Sequence, residues 1–203
     1  MRNLVIIGAG GHGRVIADIA DATGKYSDIC FLDDSAQSDS SLNIVGKVSD
    51  YKSYINDCDF VVAIGNNKVR KRIQSELTED GAVMATLVHP TAVIGSGVSI
   101  GRGTVVMAGA IINANAIIGE GVIVNTSSSV DHDCVIDSYC HISVGAHLAG
   151  TVFVGSETMI GAGATVINNI SICEDSIIGA GAVVIEDIVD RGTYVGVPAR
   201  KIK

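Results

Sequence analysis

Two hydrophobic patterns divide the chain near His89. Before that residue, short apolar runs alternate with segments of helical spacing, whereas after it an apolar residue recurs at every sixth position. The first pattern is typical of parallel strands connected by helices, and the second indicates a solenoid. We therefore expect two domains, residues 1–87 and residues 88–203.

The first half of the chain predicts a small parallel sheet with helices packed on it. Strands are expected at residues 3–7, 29–32, 59–64 and 82–88, and helices before Gly24 and at residues 69–79. Strands that alternate with helices pair in parallel through right-handed crossovers, so we expect a Rossmann-like α/β sheet. Such sheets bind ligands at the carboxyl ends of their strands.

The second half carries a strict repeat of six residues. From Val88 to Val184, all 17 positions spaced by six hold Val, Ile or Leu, and four residues after each of the first ten lies a small or β-branched residue. Neither a strand of period two nor a helix of period 3.6 keeps both positions inward for so long, so the chain must turn a corner every six residues. Three sides make a triangular coil of about 18 residues, and stacked coils form a parallel β-helix.

The composition is that of a soluble globular protein and argues against several classes of partner. Hydrophobic residues make up 47% of the chain, charged residues 18%, and the formal net charge is −8. An acidic protein lacks the basic surface that general nucleic-acid binding needs. No apolar run reaches the roughly 18 residues of a membrane span, and the N-terminus lacks a signal-peptide pattern, so we expect a cytoplasmic protein. The five cysteines are scattered without metal-binding or disulfide spacing, and no metal is expected.

The turn after the first expected strand matches a dinucleotide-binding fingerprint. The pattern G-x-G-x-x-G begins at Gly8, and Asp33 and Asp34 follow about twenty positions after its end, as in that fingerprint. Backbone N–H groups at the start of the next helix suit a phosphate. Two features argue against NAD: the domain is about half as long as a complete doubly wound domain, and His12 lies inside the fingerprint. The alternative is that the glycines only permit a tight turn and that His12 is a surface residue.

A histidine between two aspartates marks the expected reaction site. His132 lies on an outward side of the repeat, and Asp131 and Asp133 flank it. An imidazole held by a carboxylate titrates near neutral pH and can act as a general base. Gly150 follows one coil later, so we expect it about 4.8 Å from His132, where it leaves open space beside the imidazole and an N–H that can stabilise an oxyanion. An exposed histidine with solvated acidic neighbours is the alternative.

Two further groups of residues stand out in the repeat. Residues 161–164 and 179–182 are small, lie one coil apart and form a stripe that opens a slot, although glycine and alanine also suit the corners of any such coil. Cys134 and Cys140 fall on inward positions, where a thiol acts as a small apolar filler and stays protonated. We therefore expect no covalent intermediate on a cysteine, so that any group transfer is direct, within a ternary complex.

The hexapeptide repeat, preceded by a glycine-rich βαβ unit, resembles the NeuD/PglD-like sugar O- and N-acyltransferases over essentially the entire chain. The resemblance implies a left-handed β-helix behind the Rossmann-like sheet. It also implies acetyl-CoA as the acyl donor, a nucleotide sugar in the N-terminal pocket, and a homotrimer whose acyl slots lie between subunits.

The resemblance implies roles for individual residues. His132 is the general base, Asp133 raises its basicity, with Asp131 as the other candidate partner, and Gly150 stabilises the oxyanion. His141 lies half a coil from His132, so the two converge across the gap between neighbouring subunits. The residues expected to contact coenzyme A are His141, Ala162, Ala180 and Arg200 or Lys201. Those expected to hold the nucleotide sugar are Gly10, Gly11, His12, Asp33, Asp34, Gly65 and Asn66.

Three functions remain open on the sequence. The first choice is acetylation of the 4-amino group of a nucleotide-linked 4-amino-6-deoxysugar, because the N-terminal pocket suits a nucleotide. The second is O-acetylation of sialic acid or another glycan hydroxyl. The third belongs to a different class, a nucleotide-binding scaffold whose solenoid serves only for assembly.

Overall fold

The computed structural model describes residues 2–34 and 42–203. A five-stranded parallel sheet with two helices is followed by a left-handed parallel β-helix, which confirms the expected fold class. Neither helix in the described ranges has the length and apolar character needed to cross a bilayer.

The N-terminal sheet is built around its first strand, whose last four residues are buried. The strands are β1 (Arg2–Ile7), β2 (Tyr26–Leu32), β3 (Ile44–Gly46), β4 (Cys58–Val62) and β5 (Val83–Met84), in the spatial order β3-β2-β1-β4-β5. The helices are α1 (Gly11–Thr23) and α2 (Asn67–Glu79), with a 3₁₀ helix at Val48–Ser53. Because β1 is central, the turns after β1, β2 and β4 meet at one edge of the sheet.

Two parts of the sheet differ from the expectation. The last expected strand, residues 82–88, is split: β5 completes the sheet, whereas Leu87 and Val88 pair with Val105 and Val106 of the solenoid. The edge strand β3 was not expected, because its three residues are too few to show a periodic pattern.

The strands of the solenoid are two residues long and follow one another every six positions. They are β6 (Leu87–Val88), β7 (Val93–Ile94), β8 (Ser99–Ile100), β9 (Val105–Val106), β10 (Ile111–Ile112), β11 (Ile117–Ile118), β12 (Ile123–Val124), β13 (Ser129–Val130), β14 (Val135–Ile136), β15 (His141–Ile142), β16 (His147–Leu148), β17 (Phe153–Val154), β18 (Met159–Ile160), β19 (Thr165–Val166), β20 (Ser171–Ile172), β21 (Ile177–Ile178) and β22 (Val183–Val184). Each strand pairs in parallel with the one three strands later, as Ile111 does with Ser129. The register is therefore 18 residues per coil.

Three faces result from this register. The first face contains β6, β9, β12, β15, β18 and β21, the second contains β7, β10, β13, β16, β19 and β22, and the third contains β8, β11, β14, β17 and β20. The second residue of each strand points inward, and from Val106 to Val184 these side chains are buried. The inward residue at most corners is small, such as Cys134 or Ala146, and is buried as well.

Corners of the solenoid require left-handed backbone. Glycine supplies it at several corners, and the other residues with positive φ are Asn115, Ser127, Asp133, Tyr139, Thr151, Glu157, Asn169 and Asp175. Asn and Asp tolerate this conformation better than most residues. Asp133 thus suits this corner because aspartate tolerates the left-handed backbone conformation. The same conformation fixes the direction in which its side chain leaves the backbone.

The two ends of the solenoid differ. At the C-terminal end, β23 (Thr193–Val195) continues the first face, β24 (Arg200–Lys201) pairs with it, and Ala199 packs against the core. In the first coil, Val93 is 57% and Ile94 38% exposed, because no coil lies below them.

The N-terminal domain packs on the first face. Ile16 and Ile19 of α1 belong to one buried cluster with Val105, Met107 and Ile123 of the solenoid. On the side of α2, Lys71 pairs with Glu157 at 2.5 Å and Lys68 with Asp175 at 2.8 Å. The two helices that follow β1 and β4 are therefore both fixed on this face.

Candidate active site

His132 and Asp133 form a hydrogen-bonded pair at the corner after β13. Nδ1 of His132 lies 2.8 Å from Oδ2 of Asp133, and both side chains are exposed. This hydrogen bond stabilises the imidazolium and raises the pKa of His132 above its ordinary 6.5. Because Nδ1 is engaged, Nε2 is the atom available for proton transfer.

Asp131 serves the backbone and not the imidazole. Its Oδ1 accepts from the His132 N–H at 2.7 Å and from Nδ2 of Asn113 at 2.7 Å. These bonds lower the pKa of Asp131, the one from Asn113 most. Of the two flanking aspartates, the structure thus places Asp133 against the ring.

Gly150 lies directly over His132 on the next coil. The Thr151 N–H donates to the His132 carbonyl at 2.9 Å, and a Cβ built on Gly150 would lie 2.5 Å from Nε2 of His132. The Gly150 carbonyl accepts from the Asn169 N–H, whereas its own N–H makes no hydrogen bond within residues 2–34 and 42–203. An imidazole nitrogen and a free amide are therefore neighbours on one outer wall.

The glycine loop between β1 and α1 is shaped for close approach. Gly10 is the N-cap of α1, and a Cβ on Gly10 or Gly11 would meet nothing within 4 Å. Gly8 has φ of 106°, and a Cβ on Gly13 would overlap the Gly8 carbonyl oxygen. Gly10 and Gly11 thus leave open space at the start of α1, and Gly13 allows the helix to pack on the strand.

The acidic residues after β2 support the neighbouring loops. Oδ2 of Asp33 accepts from the Ala9 N–H at 2.6 Å, and Oδ1 of Asp34 accepts from the Val48 N–H at 3.0 Å. Asp33 thus borders the turn after β1, whereas Asp34 holds the first residue of the 3₁₀ helix.

The opposite rim is formed by the turn after β4. Asn66 caps α2, with Oδ1 accepting from the Val69 N–H at 3.0 Å, and Gly65 is exposed. An open groove runs from this turn along the first face. It is lined by Gly65, Asn66, Asn67, Lys68, Glu157, Met159, Asp175 and Ile177.

His141 faces the N-terminal domain and is neutral. Asn125 receives the Thr126 N–H on Oδ1 at 2.8 Å, so its amide nitrogen faces Nε2 of His141 at 3.0 Å. Nε2 therefore accepts, and the proton lies on Nδ1. Burial, with smaller effects of Arg70 and His12, lowers the pKa of His141 to about 4. His132 and His141 thus lie at different positions around the triangle.

His12 is also neutral and is not an incidental surface residue. Its Nε2 is buried and has no hydrogen-bond partner among the described residues. Burial, with a smaller effect of Arg70, lowers the pKa of His12 to about 4. The structure places His12 and His141 near one guanidinium.

Arg70 was not identified from the sequence and links α2 to the solenoid. It is 1% exposed and donates to the carbonyls of Gly121 at 2.7 Å, Tyr139 at 2.9 Å and Ile64 at 2.9 Å. Burial lowers its pKa to about 10, so the guanidinium stays charged at neutral pH. A signal existed, since Arg70 shares the helical spacing of the buried Ile73 and Leu77.

The small-residue stripe lies at the corner after the first face. Ala162 and Ala180 are exposed, and the Gly181 N–H donates to the Ala162 carbonyl at 2.9 Å. Gly163 and Gly181 both have φ of 67°, so the corner itself also calls for glycine there. Arg200 and Lys201 are exposed in β24, and Nη2 of Arg200 lies 4.0 Å from Glu186.

The buried thiols have structural contacts. Sγ of Cys134 donates to the Ala149 carbonyl at 3.1 Å, and Sγ of Cys140 to the Gly155 carbonyl at 3.1 Å. Burial raises the pKa of Cys134, and that of Cys140 to about 12. Both thiols are protonated at neutral pH and bond the corner carbonyls of the coil above.

Comparison with known proteins places this arrangement among sugar acetyltransferases. The PglD N-terminal domain family matches residues 3–77. UDP-N-acetylbacillosamine N-acetyltransferase of Bacillus subtilis is 40% identical over 113 residues, which cover 51% of this chain and 50% of that protein. The match to this curated relative thus spans about half of its length.

Several solved structures match along nearly the whole chain, including two with bound ligands of interest. The acetyltransferase domain of PglB from Neisseria gonorrhoeae in complex with acetyl coenzyme A is 41% identical, with 99% of each chain covered and a TM-score of 0.96. PerB from Caulobacter crescentus in complex with CoA and GDP-perosamine is 35% identical, with 99% of this chain and 97% of that chain covered and a TM-score of 0.91.

Proposed function

Because this chain belongs to the PglD-like family of sugar acetyltransferases, we propose that it transfers an acetyl group from acetyl-CoA to the 4-amino group of a nucleotide-linked 4-amino-6-deoxysugar. The observation that carries the proposal is the position of His132 Nε2 beside the free N–H of Gly150, with Asp133 on Nδ1. The names of the relatives, which include an N-acetyltransferase and a complex with GDP-perosamine, support an amino-sugar acceptor.

In the proposed reaction, the sugar amine attacks the thioester carbonyl while Nε2 of His132 removes a proton from the nitrogen. A carbon–nitrogen bond forms, and the negative charge that develops on the carbonyl oxygen is stabilised by the Gly150 N–H. The carbon–sulfur bond then breaks, and the departing thiolate takes the proton from the His132 imidazolium. Asp133 stabilises that imidazolium and keeps Nδ1 protonated throughout.

The two substrates are assigned to different parts of the chain. Gly10, Gly11 and His12 at the start of α1 receive the nucleotide sugar, and backbone N–H groups there suit its phosphates. Asp33, Asp34, Gly65 and Asn66 form the walls. Coenzyme A lies along Ala162 and Ala180, with Nδ1–H of His141 as a donor and Arg200 near the phosphate.

The proposed assembly is a homotrimer. His132 lies after β13 on the second face, whereas His141 lies in β15 on the first face beside the N-terminal domain. A site that uses both residues is therefore formed most simply between two neighbouring subunits, with three sites per trimer.

The test of the function is thiol release from acetyl-CoA with a panel of nucleotide sugars that differ only in a 4-amino or 4-hydroxyl group. We expect release with the amine, and about 100-fold less with the His132→Asn variant, which keeps the shape but not the basicity. Release with the 4-hydroxyl sugars, or with sialic acid assayed separately, would favour O-acetylation. No release with any acceptor would favour the scaffold, and a fully active His132→Asn variant would exclude this residue as the base.

A further inference from the structure

The coil below His132 presents two asparagines at matching positions. Asn113 and Asn115 lie 18 residues before Asp131 and Asp133, and each donates its Nδ2 to the aspartate above it, at 2.7 Å and 3.2 Å. The histidine is thus flanked by two aspartates, and each of these is held by an amide of another coil.

The bond from Asn115 determines how Asp133 can serve the histidine. An ionised carboxylate is an acceptor only, so the nitrogen of the Asn115 amide must face it. Oδ1 of Asp133 receives this amide, and Oδ2 receives Nδ1 of His132 at 2.8 Å. With one donor on each oxygen, the carboxylate has a single orientation, and rotation about its last torsion would break both bonds.

The corner also explains why the residue is asparagine. Asn115 has φ of 61°, which asparagine and glycine tolerate better than most residues, and only asparagine of these two carries a donor. Below it lies Gly97, where a Cβ would be 2.5 Å from Oδ1 of Asn115. The amide therefore fits between a glycine below and a carboxylate above.

The bond from Asn113 acts on the backbone of the histidine. Oδ1 of Asp131 accepts both the Asn113 amide and the His132 N–H, while the His132 carbonyl receives the Thr151 N–H. The peptide groups on both sides of His132 are thereby fixed.

We propose that Asn115, and with it Asn113, are positioning residues of the acetyl transfer, which hold His132 toward Gly150 by fixing the two aspartates. This inference rests on the proposed role of His132 as the base. It adds two residues that touch neither substrate and that act through Asp133 and Asp131.

The test compares Asn115→Gly with Asn169→Gly by steady-state kinetics of thiol release. Asn169 lies at the same corner two coils above Asp133, also has a left-handed φ of 62°, and bonds Thr151 through its side chain. Both variants lose one amide and keep a permitted backbone. We expect Asn115→Gly to lower kcat about tenfold with little change in either KM, because misplacement of the base affects the transition state alone. Asn169→Gly is expected to keep kcat within about twofold.

A double-mutant cycle separates positioning from a general loss of structure. If Asn115 acts through Asp133, then Asn115→Gly lowers kcat much less in an Asp133→Asn background than in the unchanged protein. Equal losses in both backgrounds, or an unchanged kcat in the single variant, would overturn the inference. Asn113→Ala is expected to lower kcat less than Asn115→Gly, since the carboxylate on Nδ1 remains in place.

The outcome is distinguishable from a failure of the proposed function. If His132→Asn abolishes thiol release while Asn115→Gly leaves kcat unchanged, only the positioning role is wrong. If His132→Asn remains active, the proposed base is wrong, whatever the asparagine variants do.

Discussion

At the scale of single residues, the absence of a side chain at Gly150 is the most specific requirement of the site. A methyl group there would lie 2.5 Å from Nε2 of His132. Because the obstacle is the end of a side chain, we expect Gly150→Ala to fold normally with the imidazole displaced.

For Gly150→Ala we expect kcat to fall about 100-fold, because the base and the oxyanion donor are both disturbed. The melting temperature should change little, since Gly150 does not have a left-handed backbone conformation. Steady-state kinetics and a melting curve of the same sample check both statements. A variant with full activity would remove Gly150 from the site.

The pH dependence of the reaction reports on the pair His132–Asp133. His132, as the proposed base, must be deprotonated to act, and its pKa is raised above 6.5, chiefly by the hydrogen bond to Asp133. The acid limb of kcat/KM should therefore lie above pH 6.5, with activity increasing as pH rises. Asp133→Asn removes this stabilisation of the imidazolium, so the limb should move to lower pH.

A pH–rate profile of both proteins measures this shift. His12 and His141, with pKa values of about 4, titrate below this range and do not obscure it. An identical limb in the Asp133→Asn variant would mean that Asp133 does not influence the base.

The sequence predicted some of these residues and missed others for a physical reason. The position of Gly150 beside His132 was predicted because a fixed register turns a distance in sequence into a distance in space. Asn115 lies 18 residues before Asp133, so the same register could have identified it. The register was applied only toward later coils. The partners of Arg70 are backbone carbonyls, which leave no trace in the amino-acid pattern.

At the scale of elements, α2 is joined to the solenoid by a buried cation. The Arg70→Met variant would keep much of the volume and leave the carbonyls of Gly121, Tyr139 and Ile64 without their donor. Each unsatisfied buried group costs about 1–3 kcal/mol, so we expect a loss of about 3 kcal/mol or more in the free energy of unfolding.

Arg72→Met is the matched control for Arg70→Met, because Arg72 lies on the same helix and is exposed. It should change the free energy of unfolding by no more than about 0.5 kcal/mol. Urea denaturation of both variants gives the comparison. Equal stabilities would show that the Arg70 bonds contribute nothing net.

Element boundaries show where sequence patterns reach their limit. The repeat predicted every solenoid strand from β7 to β22, because two inward positions per six residues admit no other regular structure. The segment 82–88 was assigned to one strand, but Met84 and Leu87 belong to different sheets. A continuous apolar run does not indicate which neighbour each residue will pair with.

At the scale of the whole molecule, the proposed trimer is tested by subunit complementation. His132→Ala and His141→Ala homotrimers should each be inactive or nearly so. If a site takes one histidine from each of two neighbours, co-expression of both chains gives a random mixture of trimers in which about a quarter of all sites carry both native residues.

We therefore expect thiol release near a quarter of the native rate from the mixed protein, with the trimer verified by light scattering. If both histidines of a site came from one chain, mixing would restore nothing. A stable and active monomer would contradict the assembly itself.

The 18-residue register also constrains how the gene for such a chain can change in length. Inserting one residue between positions 133 and 150 would move the glycine out of line with the imidazole. It would also turn the apolar side chains of the later coils from the interior toward water. Deleting a complete coil of 18 residues elsewhere would shorten the solenoid, and the stacked residues of the remaining coils would stay aligned. Lineages of this architecture should therefore lengthen and shorten in whole turns, with irregular additions confined to the corners.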